Sequence, residues 1–321
     1  MTAHDDRRPL WPELDYPAWR ATATTLQLWT QIVGKARLAL TPWLNHGWHV
    51  PLYVNARGIG TSPMHSAGGL LEIDFDFVAH RLVIRTAETV DGGFALEPMS
   101  VAVFYRRCME ALQAAGHAVA IDVLPNEVAD PIRFPDDETH ADYDAAAVQA
   151  FWRALVQVDR VFHLFRTGFL GKASPVHLFW GSFDLAVTRF SGRSAPLHPG
   201  GVPGLPDAVT REAYSHEVSS AGFWPGSDTY PQAAFYSYAY PMPAGFDKAV
   251  VEPTGAQWST AMGEWLLPYD MVRSAPDPDA TLLRFLETTY RAAADLGHWD
   301  RGLECALGAP RMPRPVARSA D

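Results

Sequence analysis

Residues 70–86 read LLEIDFDFVAHRLVIRT, and this stretch decides the fold class. From Leu71 to Phe77, large apolar side chains alternate with acidic ones, so one face of a strand is buried and the other is solvated. A short turn near Ala79 and His80 leads into a second apolar run. The pattern predicts an antiparallel hairpin, and its three acids are interpreted as a solvated sheet face rather than a cation site.

Long stretches with helical periodicity lie on either side of this hairpin. Apolar residues recur at three- and four-residue steps from Trp19 to Leu40, near residues 100–115, over residues 145–171 and over residues 279–297. The predicted strands, among them AVAIDVLP at residues 118–125, are not separated by regular crossover helices, which argues against a parallel sheet. The predicted class is α+β, with mostly antiparallel sheet and long helices on one face.

The same order of elements occurs twice along the chain. The stretch NHGWHVPLYVNARGI (residues 45–59) is predicted to be a strand. Its part WHVPLYVN follows the first long helix much as VHLFWGSF follows the second, and each series ends in a further helix. This order predicts two similar halves, packed as an internal pseudo-dimer with a ligand cleft between them.

Composition shifts divide the chain into five segments, separated by stretches rich in Pro and Asp. They are a flexible arm (1–14), a first α+β half (15–128), a linker loop (129–144), a second α+β half with the candidate site (145–307) and a disordered tail (308–321).

The composition favours some classes of partner and argues against others. A net charge of -10 without a basic run argues against nucleic acid. No apolar run approaches the roughly 20 residues that cross a bilayer, so we expect no membrane partner. The two cysteines lack metal or redox spacing, which predicts a cytoplasmic protein. There is no glycine fingerprint for a nucleotide. Eleven Trp, eleven Tyr and sixteen Phe instead favour a small-molecule ligand in an aromatic cleft.

Residues 174–226 concentrate the side chains that carry chemistry. In a regular strand His177 and Asp184 face opposite ways unless Gly181 forms a bulge, and His216 and Glu217 also face opposite ways. The catalytic candidates are His177, Asp184, His216 and Glu217. The substrate-binding candidates are His49, Trp180, Arg189, His198 and Trp224.

Three interpretations of these residues remain open. The first is metal-free acid–base chemistry by histidine and carboxylate on a small molecule. The second is a divalent metal held by His177, His216 and a carboxylate, Glu217 or else Asp184, a two-His-one-carboxylate set without any spaced signature. In the third, the histidines are structural and the protein is a non-catalytic binding or interaction domain. Dense polar groups among aromatics favour an enzyme, with its reaction class unassigned.

Two strings, SPVHLFWGSFDLAVTRFSG and SHEVSSAGFWPG, resemble those of a bacterial family of uncharacterised proteins, a domain of unknown function. The resemblance covers roughly Trp11 to Asp300 and extends to WTQIVGK, NHGWHVPLYV and FDFVAHRLVIRT. It implies a bacterial cytoplasmic protein with a single architecture, and it implies no activity, cofactor or catalytic residue.

Overall fold

The computed structural model describes residues 10–87 and 92–308. Within those ranges the chain forms six α-helices and two six-stranded antiparallel sheets, which confirms the predicted α+β class. The helices are α1 (Tyr16–Leu40), α2 (Val101–Ala114), α3 (Ala145–Arg166), α4 (Asp207–Ala213), α5 (Tyr269–Arg273) and α6 (Pro278–Leu296). The strands are β1 (Tyr53–Asn55), β2 (Gly58–Gly60), β3 (Met64–Ser66), β4 (Gly69–Asp76), β5 (Arg81–Thr86), β6 (Gly92–Ala95), β7 (His177–Phe179), β8 (Asp184–Ser194), β9 (His216–Trp224), β10 (Ala234–Tyr240), β11 (Gln257–Ser259) and β12 (Glu264–Pro268).

The first sheet is built around the hairpin predicted from residues 70–86. Strands β4 and β5 pair from Leu71↔Thr86 to Asp76↔Arg81, which confirms that prediction. The sheet order is β1-β2-β4-β5-β6, with β3 also paired to β4. Asp74 and Asp76 are largely buried rather than solvated. Hydrogen bonds from Asn55, Arg57 and Arg85 replace water as partners of their carboxylates.

The second sheet has the order β11-β12-β10-β9-β8-β7 and presents two different faces. One face carries Leu185 and Phe223, fully buried in the core, and contacts α3 and α6. Alternate residues of β8 and β9 point to the other face, which is the floor of a large cavity. Helices therefore cover one face of this sheet, as predicted, and the opposite face borders the cavity.

Helix α1 is buried almost all round over its second half, where an unbroken run from Leu28 to Arg37 is buried. A helix that is buried on all sides belongs in the interior of a fold. Its contacts with α2, α3 and β3 place it between elements from both parts of the chain. The backbone NH groups at the start of α2, α3 and α6 are capped by Ser100, Asp144 and Asp277.

Several local predictions were wrong. Residues 118–125 form no strand, and the strand predicted around His49 begins only at Tyr53. The stretch around residues 174–190 is a hairpin of β7 and β8, with Phe179 opposite Asp184. Residues 180–183 form its turn, where Phe183 has φ 59°. In each case tertiary contacts fix the backbone, and periodicity carries no information on them.

Residues of the predicted arm and linker contribute to the core. Within the arm, Trp11 and Leu14 are buried, and the Tyr269 hydroxyl donates to the Pro12 carbonyl at 2.8 Å. Within the linker, Phe134 is fully buried. Of the predicted tail only Gly308 lies within the described residues. The two sheets differ in strand order, and the internal pseudo-dimer stays a prediction.

Candidate functional site

A cavity of about 990 Å³ lies over the open face of the second sheet. Its volume is at the upper end of the range of small-molecule sites, about 300–1,000 Å³. The floor is formed by alternate residues of adjacent strands, namely Asp184, Ala186, Thr188 and Phe190 of β8, Val218, Ser220 and Trp224 of β9, Tyr236 and Tyr238 of β10, and Glu264 of β12. The walls come from residues 43–50, from residues 120–127 and from the segment that contains α4.

Asp184 lies at one end of this floor, at the start of β8. Ser182 Oγ donates to its Oδ1 at 2.5 Å, and the Tyr236 hydroxyl donates to its Oδ2. Burial raises the pKa of Asp184, and the two hydroxyl donors oppose that rise because they stabilise the carboxylate. Asp184 is therefore a fixed acceptor, oriented by donors on two different elements.

Gly222 on β9 makes the contact between Tyr236 and Asp184 geometrically possible. Tyr236 stands opposite Gly222 in the sheet, and its side chain reaches across β9 to Asp184 on β8. A Cβ at position 222 would lie 2.3 Å from Tyr236 Cζ and from its hydroxyl oxygen. Any larger residue would occupy the space of the phenol ring.

Glu127 approaches Asp184 from residues 120–127, outside the sheet. Its φ is 55°, and its carboxylate packs against the β7–β8 turn, where a Cβ on Gly181 would lie 2.0 Å from Oε1. The Gly181 carbonyl accepts a hydrogen bond from Gln27 Nε2 at 2.6 Å, so α1 holds the turn in place. Burial, and then the charge of Asp184, raise the pKa of Glu127 to about 7.

Glu264 lies on β12, on the opposite side of β10 from β9. Burial, and then the charge of Asp184, raise the pKa of Glu264 to about 7 as well. Between these acids, the Tyr214 hydroxyl donates to the Tyr238 hydroxyl at 2.9 Å. Burial raises the pKa of both phenols, so both remain neutral donors at physiological pH.

His177 shares the cavity with these three acids. It stands opposite Ala186, and the hairpin therefore puts it on the same sheet face as Asp184 without any bulge at Gly181. The side chain is 1% exposed and its Nδ1 has no hydrogen-bond partner. Burial, and then the charges of Arg166 and Arg37, lower the pKa of His177 to about 3, so the imidazole is neutral.

A second cluster of polar groups lies at the Phe190 end of the floor. Lys172 Nζ lies 2.6 Å from His46 Nε2 and 4.9 Å from the centre of the Phe190 ring. Burial, and then the charge of Lys172, lower the pKa of His46. Neutral His46 then accepts from Lys172 and donates from Nδ1 to the Ala213 carbonyl at 3.2 Å. The cation at this end is thus already held by protein groups.

The structure brings some predicted site residues together and separates others. Five of them line the cavity, namely His49, His177, Trp180, Asp184 and Trp224. Four do not line it, namely Arg189, His198, His216 and Glu217.

Each of these four has its own local partners. Arg189 is 1% exposed and its Cζ lies 3.5 Å from the Phe165 ring centre, on the helix-covered face. Glu217 accepts from Arg193 Nε at 2.8 Å. His198 stacks on Tyr214 with ring centroids 5.0 Å apart, and the His216 ring lies 5.5 Å from that of His46.

The proposed metal ligands do not form a metal site. Among residues 10–87 and 92–308, no group of three or more His, Cys, Asp or Glu side chains is placed to hold a metal ion. His177 lines the cavity whereas Glu217 pairs with Arg193, so the set His177, His216 and Glu217 has no structural support.

Sequence reasoning missed Glu127, Glu264 and Tyr236. Glu127 comes from a stretch that was predicted to be a strand followed by a loop, and Glu264 from a short strand with one acid at its start. The alternating tyrosines of AFYSYAY were a usable signal, because alternate residues of a strand share a face. No local signal pairs Glu127 with Asp184, since their contact depends on the packing of distant segments.

Comparison with known proteins places the chain in a family. The geometry above defines a class of α+β protein with a cavity that is lined in part by carboxyl groups. The sequence matches the model of DUF5996, a family of unknown function, over residues 11–305, and the chain belongs to that family. No significant match was found among curated proteins or among solved structures. No helix in the described part of the chain is both long enough and apolar enough to cross a membrane.

Proposed function

We propose that this protein is an enzyme that performs acid–base chemistry on a small molecule bound in the cavity. The observation that carries the proposal is the arrangement of Asp184, Glu127 and Glu264, which come from three separate segments to one cavity, where Asp184 is buried and both glutamates are half-buried. Asp184 is oriented by two hydroxyl donors, and its charge contributes to raising the pKa of both glutamates to about 7. General acids and bases are most effective when their pKa lies near the working pH.

The three carboxyl groups have different parts in this proposal. Asp184 is the fixed hydrogen-bond acceptor, because Ser182 and Tyr236 donate to it. Glu127 and Glu264 each gain and lose a proton near neutral pH. One of them can therefore donate a proton to the substrate while the other accepts one. The neutral Tyr238 hydroxyl, which accepts from Tyr214, supplies a further donor at the floor. Aromatic side chains of Trp180 and Trp224 would cover the apolar part of the substrate.

The test is a screen in two stages. Thermal shift at neutral pH first selects small molecules that stabilise the protein, and each selected compound is then incubated with the protein and analysed by mass spectrometry for conversion. We expect at least one compound to be converted, and the Asp184→Asn variant to bind it while losing about 100-fold or more in rate. Glu110→Gln is the matched control, because Glu110 is exposed on α2.

Two outcomes count against this proposal. If selected compounds bind and are recovered unchanged, the protein is a non-catalytic binding domain. If conversion persists unchanged in Asp184→Asn, the chemistry lies elsewhere in the molecule.

A cytoplasmic location and a small-molecule substrate are part of the same proposal. Cys108 and Cys305 are both free, as is usual in a reducing compartment, and this supports a cytoplasmic location. The net charge of -10 supports a small-molecule substrate over nucleic acid.

A further inference from the structure

We infer that the ligand of the cavity is an organic ammonium ion, in which a protonated or methylated amine is attached to an apolar body. This inference rests on the proposed function, because it assigns the substrate class of the same site. It follows from the charge balance of the cavity, from its aromatic walls and from the neutral histidine beside the acids.

The charge balance is the first observation. Within residues 10–87 and 92–308, none of Glu127, Asp184 and Glu264 pairs with an Arg, Lys or His side chain. Buried carboxylates without a cationic partner are costly, and a cation from the ligand would remove that cost. An anionic ligand would instead add to the repulsion that already raises the pKa of both glutamates.

The cationic groups near the cavity are held by other partners. Lys35 Nζ donates to the Leu124 carbonyl at 2.7 Å and lies 3.6 Å from Asp122 Oδ2. Lys172 donates to His46 at the far end of the floor, where Glu212 also attracts it. Neither lysine neutralises the acids around Asp184, so a positive charge on the ligand would relieve the repulsion among them once both glutamates are ionised.

The walls are the second observation. Aromatic rings attract cations through their faces, and Trp does so most strongly. Six large aromatic side chains other than the tyrosines line the cavity, namely Trp43, Trp48, Phe179, Trp180, Phe190 and Trp224. Lys172 already uses two of them, since its Nζ lies 5.1 Å from the Trp48 ring centre and 4.9 Å from that of Phe190. Trp224, which is half-buried at the end of β9, is left for the ligand at the acidic end, and the edge of the largely buried Trp180 lines the cavity there.

His177 is the third observation. It is 1% exposed, lines the same cavity and has an unpartnered Nδ1. Because its pKa is lowered to about 3, it carries no charge that would repel an ammonium ion. The neighbouring phenols Tyr214, Tyr236 and Tyr238 are also uncharged, and the two guanidinium groups that act on His177, those of Arg37 and Arg166, do not line the cavity.

The test uses three probes of nearly equal shape and different charge. They are 2-phenylethylamine, the neutral 2-phenylethanol and the anionic phenylacetate, accompanied by the same series on butyl and naphthylethyl bodies. Isothermal titration is performed with the intact protein near pH 8, where both glutamates are ionised. We expect an amine to bind at least about tenfold more tightly than its alcohol, and the carboxylates not to bind.

Variants and pH then locate the cation. Glu264→Gln and Glu127→Gln should each weaken amine binding by about fivefold or more and leave alcohol binding unchanged, whereas Glu110→Gln should change neither. Near pH 5.5 both glutamates become protonated, and the preference for the amine should fall by a similar factor. Loss of amine binding without loss of alcohol binding separates a charge effect from misfolding.

The outcomes distinguish this inference from the proposed function. If no amine is preferred over its alcohol, or if a carboxylate binds best, the ammonium ligand is refuted while conversion of a neutral substrate would still support the enzyme. If amines bind as expected and no amine is ever converted, the ligand class stands and the enzymatic proposal fails.

Discussion

Glu127 and Glu264 change protonation close to neutral pH, and this makes the stability of the protein pH-dependent. Glutamate in an unfolded chain has a pKa of about 4.3, whereas burial and the Asp184 charge raise both folded values to about 7. The folded state therefore binds more protons between these limits. Their contribution to the free energy of unfolding is fully present below the unfolded pKa and is lost as the pH rises through the folded pKa.

We expect Glu127→Gln and Glu264→Gln to be more stable than the wild type above neutrality. Each should raise the free energy of unfolding at about pH 8 by on the order of 2 kcal/mol, with little difference near pH 4.5. Urea unfolding across this pH range measures the effect, with the exposed Glu110→Gln as control. A difference that grows toward low pH would contradict the assignment.

Arg189 was predicted to bind substrate, and its surroundings favour a structural role instead. Its Cζ lies 3.5 Å from the Phe165 ring centre and 4.3 Å from that of Tyr290, and it donates to the Phe165 carbonyl. Burial lowers the pKa of Arg189 to about 10. These contacts lie on the helix-covered face, whereas the cavity is on the other side of the sheet.

Arg189→Lys should therefore affect stability and leave ligand binding intact. A lysine cannot reproduce the planar stacking of the guanidinium, so we expect a loss of about 2 kcal/mol in urea unfolding. Amine affinity, measured by titration as above, should stay within about twofold of the wild type. A selective loss of affinity at unchanged stability would restore Arg189 as a substrate-binding residue.

At the scale of elements, the docking of α1 on the β7–β8 hairpin positions the acidic end of the cavity. Gly34 in α1 leaves the space that the Trp180 ring occupies, since a Cβ there would lie 2.2 Å from Cδ1 and Nε1. Trp180 Nε1 in turn donates to the Val50 carbonyl at 3.0 Å. This contact, together with the Gln27 bond to Gly181, fixes the turn against which Glu127 packs.

Gly34→Ala should destabilise the protein although alanine is the better helix former. Helix propensity alone favours alanine by about 1 kcal/mol, whereas the clash with Trp180 should cost about 1–3 kcal/mol. In a Trp180→Ala background the clash disappears, and the same substitution should become neutral or stabilising. Chemical unfolding of the four proteins gives the coupling energy, and simple additivity would argue against this contact.

At the scale of the whole molecule, the two sheets share one hydrophobic core. Buried side chains from Trp11 to Ala294 form a single cluster. Leu52, just before β1, also exchanges backbone hydrogen bonds with Leu178 of β7 at 2.9 and 2.8 Å. Residues 129–144 therefore separate two stretches of sequence that share one core, and Phe134 within them is buried in that core.

We expect the chain to unfold in one cooperative transition. Far-UV circular dichroism, which reports both sheets and the helices, and tryptophan fluorescence should give the same midpoint in urea. A fragment of residues 145–308 should remain unfolded alone, because it lacks α1 and the first sheet. Two separated transitions, or a folded fragment, would show that the predicted halves are independent domains.

The sequence by itself determined the α+β class, the four long helices and the hairpin of residues 70–86. These depend on periodicity, which local side-chain patterns carry and which burial of one face enforces. Five predicted site residues, Asp184 among them, also line the cavity.

Only the tertiary structure decided which acids line the same cavity. The β7–β8 hairpin puts His177 and Asp184 on one face, Gly222 allows Tyr236 to cross β9, and Glu127 arrives from a loop more than fifty residues before Asp184. A pKa near 7 depends on burial and on a neighbouring charge. Both arise from contacts between segments distant in sequence, which no local pattern encodes.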